Sequence, residues 1–238
     1  MNIPGKGSRT AKRGHRTDER IYSAIYAAII NHQLRPATPL QEDALASAFG
    51  VSRTIIRKVL QQLAHEKLVV IVPNKGARVA RPTTEEGRQV FEARHIIESE
   101  LVRKVARRRD EAGLARLRGI LAEERNAQLA DDKRRRVELS GEFHLALAEL
   151  AGNAVLADVV QELVSRTSLI IALYEVPGAV PCSCDEHGEI IEALSAGDEA
   201  AAIERMEHHL RHIESQVDLS QSTGGVDFRS LFAQALQG

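Results

Sequence analysis

Helical periodicity runs through this chain almost without a break, and the one place where it fails divides the molecule. Apolar residues recur at amphipathic-helix spacing from about Asp18 to Asn31, from Gln41 to Phe49 and from Arg53 to Lys67. Between Leu68 and Pro82 the pattern becomes β-rich. Leu68-Val-Val-Ile-Val72 and Ala77-Arg-Val-Ala80 flank Pro73-Asn-Lys-Gly76, which is the composition of a hairpin with an Asn/Gly turn. From Thr83 onward helical periodicity returns and stays. It predicts helices over 84–109, 111–131, 134–151, 153–175, 185–196 and 198–218, broken at Asp110, near Asp131, at Gly152, across Val176–Pro181 and at Gly197. Six amphipathic helices with short connections imply an antiparallel bundle.

The expected fold is therefore mainly α, with four segments. Residues 1–15 are polar, Gly-bearing and basic, and read as a disordered arm. Residues 16–82 form the small helix-and-hairpin unit, and residues 83–218 the bundle. Residues 219–238 are read as a tail whose Phe228–Leu236 stretch has weak helical character suited to docking on a partner subunit. Between helix and hairpin, Pro36 and Pro39 bracket an expected turn.

Charge follows the same division. The whole chain has a formal net charge of -1. Residues 1–82 hold 14 Lys and Arg against 5 Asp and Glu, and residues 83–238 hold 18 against 28. A basic unit joined to an acidic one points to two modules with different partners. No apolar run approaches the roughly 18 residues of a membrane span, and no hydrophobic segment follows the basic N-terminus as a secretion signal requires. Cys182 and Cys184 stand too close for a structural disulfide, so a reducing cytoplasm is expected and no membrane partner.

The basic unit has the layout of a winged helix-turn-helix. A short helix ends at Gly50, where a left-handed residue is needed, and Ser52 caps the next helix. That helix presents its N-terminus to the major groove of double-stranded DNA. Ser52, Thr54 and the first backbone N–H groups suit phosphate. Arg53 and Arg57 lie four apart on its outer face, within reach of a base edge or a phosphate, and Lys58 adds a charge beside them. Lys75 and Gly76, at the wing tip, face the adjacent minor groove or backbone. A helical hairpin with a solvated basic face is the plainer alternative.

In the bundle, ionisable residues stand on apolar stripes. Arg94 sits among Val90, Phe91, Ile97 and Leu101. His144 sits among Val137, Leu147 and Ala151. His187 leads Ile190, Ile191 and Leu194, and His209 shares a face with Ala202, Met206 and Ile213. Three inward imidazoles from three helices can converge on one divalent metal, Zn or Ni by donor type. An inward Arg suits a bidentate carboxylate. The alternatives are buried structural histidines and a salt bridge from Arg94 to Glu98. His208 and His212 fall on the polar face and read as solvated.

Two stretches carry a resemblance. Pro39-Leu-Gln-Glu-Asp-Ala-Leu-Ala-Ser-Ala-Phe-Gly-Val-Ser-Arg-Thr54 with Arg57, Leu60 and Leu63, and the wing Val70-Ile-Val-Pro-Asn-Lys-Gly-Ala-Arg-Val79, resemble the GntR family of bacterial transcription regulators over about residues 17–82. The resemblance implies operator contacts at Ser52, Arg53, Arg57 and Gly76. Ile55 stands where members usually have Pro, Asp43 where they have Arg and Lys58 where they have Glu. Gln89-Val-Phe-Glu-Ala-Arg-His-Ile-Ile-Glu98, Phe143-His144 with Ala151-Gly-Asn153, Glu186-His-Gly-Glu-Ile-Ile-Glu-Ala-Leu194 and Met206-Glu-His-His-Leu210 resemble the FCD effector domain of FadR-type members.

That second resemblance implies a metal on His144, His187 and His209, with Arg94 holding a carboxylate effector. The Asp expected four residues before His144 is Ser140 here. Glu142 lies about 200° further round the helix and is a poor substitute. The Cys182-Ser-Cys-Asp185 run is a possible further donor source. Asn153, an expected helix cap, is added to the effector-binding residues with Arg166, and Ser168 as pocket lining.

The chain is thus expected to be a homodimeric, ligand-responsive regulator and not an enzyme. It would read an inverted-repeat operator, as a repressor by the commoner family behaviour. Two rivals stand: a metal-dependent enzyme fused to a DNA module, and an architectural DNA-binding dimer without effector. The first lacks an inward Glu base and an HExxH helix.

Overall fold

The computed structural model describes residues 8–73, 76–177 and 184–220. The chain opens with helix α1 (Ser8–Ile30), then strand β1 (Pro39–Leu40), α2 (Glu42–Phe49), α3 (Arg53–His65), and strands β2 (Val69–Val72) and β3 (Gly76–Val79). Six helices follow: α4 (Thr84–Arg108), α5 (Glu111–Leu129), α6 (Lys133–Leu150), α7 (Ala154–Tyr174), α8 (Cys184–Ala196) and α9 (Glu199–Ser215). The architecture is a winged helix-turn-helix followed by a helical bundle. No helix among the described residues is long and apolar enough to cross a membrane.

Two elements depart from expectation. Helix α1 starts at Ser8, so residues 8–15 belong to a helix rather than to a disordered arm. Ala11, Lys12 and Arg13 are good helix formers and no Pro interrupts them, so propensity prevails over polarity there. Residues 1–7 lie outside the described residues. Pro39 and Leu40 are not only a turn. They pair antiparallel with β3, Pro39 opposite Arg78 and Leu40 opposite Ala77, which gives a sheet of order β1-β3-β2. Pro39 is tolerated because β1 is an edge strand and needs no N–H on its outer side. The expected hairpin is present, with Val69 opposite Val79 and Val72 opposite Gly76.

Helix boundaries follow local chemistry. Gly50 ends α2 at φ +64, a left-handed conformation that costs a residue with a Cβ about 1–2 kcal/mol. Thr83 and Glu86 form a reciprocal capping box at the start of α4: the Glu86 N–H donates to Thr83 Oγ1 at 3.1 Å and the Thr83 N–H to Glu86 Oε2 at 2.7 Å. Asp110, Asp132, Asn153 and Asp198 accept the first free N–H groups of α5, α6, α7 and α9. Gly152, at φ +68, ends the connection before α7, and a Cβ there would meet the Arg108 guanidinium.

The apolar side chains form separate cores. Ile21, Ile25 and Ile29 of α1 pack with Ile56, Leu60 and Leu63 of α3 and the sheet residues Val69 and Val79. The main bundle core runs through Leu101, Leu117, Phe143, Leu147, Ile190 and Met206. A third cluster joins Phe91, Ile170 and Ile213, and Leu219 packs into it. The first residue of the expected tail is therefore part of the bundle, and residues 221–238 lie outside the described residues.

The two units touch directly. The Tyr26 hydroxyl stands 3.1 Å from Ser165 Oγ and accepts from Gln161 Nε2 at 3.0 Å. Asn31 Nδ2 donates to Glu138 Oε1 at 2.7 Å, and Ser168 Oγ donates to the Ile30 carbonyl at 3.1 Å. The Tyr174 hydroxyl donates to the Pro82 carbonyl at 2.9 Å.

Candidate functional site

In the bundle, α6, α8 and α9 each turn one imidazole into the core. His144 is 2% exposed, and His187 and His209 are 0%. His209 Nε2 stands 3.1 Å from His144 Nε2 and 3.3 Å from His187 Nε2. The opposite nitrogen of each ring faces a carboxylate. His144 Nδ1 is 2.5 Å from Glu98 Oε2, His187 Nδ1 is 2.8 Å from Glu124 Oε2, and His209 Nδ1 is 2.9 Å from Glu186 Oε2. An ionised carboxylate only accepts, so it fixes the proton on Nδ1 and leaves a lone pair on Nε2. The Phe143 ring stacks on His187 with centroids 4.1 Å apart and holds that ring in place.

The electrostatics keep these donors ready. Burial depresses the His144 pKa, the facing Glu98 opposing it and Arg94 adding to it. Burial also holds His209 well below the usual imidazole range, against the opposing Glu186 hydrogen bond. Burial alone would raise Glu98, but Arg94 and His144 outweigh it and keep its carboxyl well below the usual range.

The residues fit a divalent cation. Three lone pairs within 4.8 Å of one another repel unless a positive charge lies between them. Metal–imidazole bonds of about 2.0–2.1 Å put two donor nitrogens about 3.0 Å apart at a right angle and about 3.4 Å apart at the tetrahedral angle. The two spacings above fall in that interval. Among the described residues the group able to hold an ion is these three histidines.

Beside the triad lies a cavity of about 630 Å³, lined by His144, Arg94, Ser140 and Glu142 among others. Arg94 is 2% exposed. Its Nε donates to Glu98 Oε1 at 2.6 Å and its Nη1 to Thr167 Oγ1 at 3.3 Å. Its Nη2 is buried without a hydrogen-bond partner. The expected Arg94–Glu98 pair is thus present, and one guanidinium donor remains over. Ser168 also lines the cavity.

Other expected residues lie elsewhere. Asn153 caps α7 through its bond from the Leu156 N–H and does not line this cavity. Arg166 points away from it, toward Glu162 at 3.3 Å and Glu86 at 3.7 Å. Cys184 is buried and donates to Gln128 Oε1, and burial pushes its thiol pKa up, so it is no thiolate donor to the triad. Cys182 lies outside the described residues. His212 is not simply solvated, because its Nδ1 meets Glu186 Oε1 at 2.6 Å.

Sequence reasoning missed Glu98, Glu124 and Glu186 as partners of the imidazoles. A signal existed for Glu124, a carboxylate on the stripe of Leu117, Ile120, Leu121 and Ala127, and it is 2% exposed.

In the winged helix-turn-helix unit, Ser52 at the N-cap and Arg53, Thr54, Arg57 and Lys58 of α3 are all exposed. Ser52 occupies the N-cap position, but its hydroxyl makes no cap bond. Arg53 pairs with Asp43, Arg57 Nη2 with Glu42 Oε2 at 2.8 Å, and Lys58 Nζ with Asp18 Oδ2 at 2.7 Å. Gly76 is exposed at φ +79 with open space around it, and Lys75 lies outside the described residues.

Comparison with known proteins agrees with this fold. The family described as bacterial regulatory proteins, gntR family, matches residues 17–79, and the FCD domain matches residues 89–212. The HTH-type transcriptional regulator LutR of Bacillus subtilis (strain 168) is 27% identical over 208 residues, covering 78% of this chain and 94% of the relative. The HTH-type transcriptional repressor RspR of Escherichia coli (strain K12) is 26% identical over 205 residues, covering 84% and 88%. Among solved structures, a transcriptional regulator GntR from Rhodococcus sp. RHA1 superposes with a TM-score of 0.72 at 25% identity, covering 85% of this chain and 97% of that one. These relatives are regulators of transcription and not enzymes. With its reading head and its helical bundle both matched, the chain belongs to the GntR family of bacterial transcription regulators, in the branch that carries an FCD domain.

Proposed function

We propose that this protein is a homodimeric repressor whose bundle binds a small carboxylate metabolite through a divalent metal, Zn or Ni, and so changes its affinity for an inverted-repeat operator. The observation that carries the reading is the convergence of three Nε2 atoms, one of the three histidines, His144, lining the same cavity as the buried Arg94, whose Nη2 has no partner. His144, His187 and His209 would hold the cation, which when bound offers open coordination positions to a carboxylate. Arg94 supplies a charge-assisted donor to the same anion. Glu98 orients Arg94 and His144 together.

Ser52, Arg53, Thr54, Arg57, Lys58, Lys75 and Gly76 form the operator-facing set, with two half-sites read by two copies. The bundle helices then bias the reading head by a coupling free energy of about 1–3 kcal/mol. The named repressor among the relatives supports the sign.

The test is metal analysis of the purified protein, followed by a thermal-shift series of carboxylates on the loaded chain. A near-stoichiometric transition metal lost in His187→Ala/His209→Ala, with stabilisation by a carboxylate lost in Arg94→Ala, is the expected result. A wild type that takes up no metal on reconstitution overturns the metal centre. A normal carboxylate response in Arg94→Ala overturns the role of Arg94.

A further inference from the structure

The cavity beside the triad is not confined to the bundle. Tyr26, Ala27 and Ile30 of α1 form part of its wall, together with Ser23 and with His32 just beyond the helix. Their spacing puts residues 23, 26, 27 and 30 on one stripe of α1. The neighbouring stripe of Ile21, Ile25 and Ile29 packs into the core of the DNA-reading unit against Leu60 and Leu63 of α3. One helix therefore touches the cavity with one face and the recognition helix with another. Tyr22 strengthens the second contact by donating to Glu66 Oε2, just past α3, at 2.6 Å.

The cavity wall is mixed. Leu145, Val164, Ile171 and Ile213 of the bundle line it together with Ala27 and Ile30 of α1, and so do Arg135, Arg136, Glu138 and Glu175. Several polar groups of α1 and α7 are engaged with one another. Tyr26 is held by Ser165 and Gln161, Ser168 Oγ donates to the Ile30 carbonyl, and His32 Nε2 meets the Ser168 carbonyl at 3.2 Å. A ligand hydroxyl placed on the apolar wall would be buried without a partner, whereas methylene groups would be favourably desolvated.

We infer that the effector is a monocarboxylate with an extended apolar body, whose far end rests on α1 of the DNA-reading unit, so that ligand length is sensed directly at the helix that carries α3. The inference rests on the carboxylate reading above. It makes α1 both a specificity wall and the relay, with no need for the bundle to change shape first.

The experiment uses the full, metal-reconstituted chain and three probes: butanoate, octanoate and gluconate. Affinities are measured by calorimetry for wild type and Ala27→Trp, a substitution that fills the α1 side of the cavity. Octanoate should bind at least about tenfold more tightly than butanoate or gluconate. Ala27→Trp should weaken octanoate about tenfold and leave butanoate unchanged. Hydrogen exchange on wild type supplies a readout that needs no variant: octanoate should slow exchange over residues 23–32 more than butanoate does.

Gluconate binding as tightly as octanoate overturns the apolar body and leaves the carboxylate reading intact. Equal losses of both fatty acids in Ala27→Trp, or no added protection of α1 by octanoate, overturns the contact with α1. Failure of all three probes to bind overturns the carboxylate reading itself, and this inference with it.

Discussion

Glu98 Oε2 stands 2.5 Å from His144 Nδ1, while Oε1 of the same carboxylate accepts from Arg94. One buried residue therefore orients both an imidazole of the triad and the Arg94 guanidinium. Replacing it by Gln keeps the shape but removes the charge and can leave the imidazole in the wrong tautomer. Glu98→Gln should lower metal affinity by about 10–100-fold, as measured by competition with a chromogenic chelator. Unchanged affinity would mean that His144 is oriented by packing alone.

The recognition helix carries a self-made competitor. Arg53 is paired with Asp43, which stands where the family usually has a cation. Both side chains are exposed, so the pair itself adds little to stability. It does occupy the guanidinium assigned above to the proposed operator-facing set. Asp43→Ala should raise non-specific DNA affinity and steepen the salt dependence by about one phosphate's worth, near 0.9 in the slope of log K against log salt. Arg53→Ala should cost about 1–3 kcal/mol of specific binding. A salt slope for Asp43→Ala equal to wild type would show that Arg53 does not turn to the backbone.

Phe143 stacks on His187 and is fully buried. Phe143→Ala should destabilise the metal-free bundle by about 3–5 kcal/mol, read from denaturant unfolding. Phe143→Leu fills more of the space but gives His187 no flat face. It should fold, yet bind metal more weakly than wild type. Wild-type metal affinity in Phe143→Leu would assign the ring to packing only.

Gly152 adopts φ +68 against the Arg108 guanidinium, which donates from Nη1 to the Leu150 carbonyl at 2.9 Å. Gly152→Ala should lower stability by about 1–2 kcal/mol for the left-handed backbone, with displacement of Arg108 adding to it. A melting temperature equal to wild type would show that the turn relaxes to another conformation.

Much of the fold was legible because its boundaries are local. Asp110, Asn153 and Asp198 act through their own backbone neighbours, and Gly50 through its own φ, so each could be read from a few residues. Strand β1 was not, since two residues carry no period and Pro39 argues against a strand by itself. The three histidines were legible because each stands on an apolar stripe, and the inward Arg94 for the same reason. Their carboxylate partners were harder. Glu124 meets His187 across 63 residues of sequence, and only its place on an apolar stripe marks it. Arg166 was assigned to the pocket, but its guanidinium is drawn to Glu162 and Glu86, and Glu86 lies 80 residues away in sequence. That α1 walls the cavity had no sequence signal at all, because it follows from how two units dock.

The Tyr174 bond to the Pro82 carbonyl has a mechanical consequence. Only Ala80 to Thr83 separate the last strand from α4, and the middle of that stretch is fastened to α7 at the point where Tyr174 reaches it. A reading head on such a mount is not a weight on a string. It has a pivot, set beside Pro82, and a lever, helix α1, lying across the cavity. Tyr26, Ile30 and Asn31 hold that lever to α6 and α7, so any turn about Pro82 loads these bonds as well.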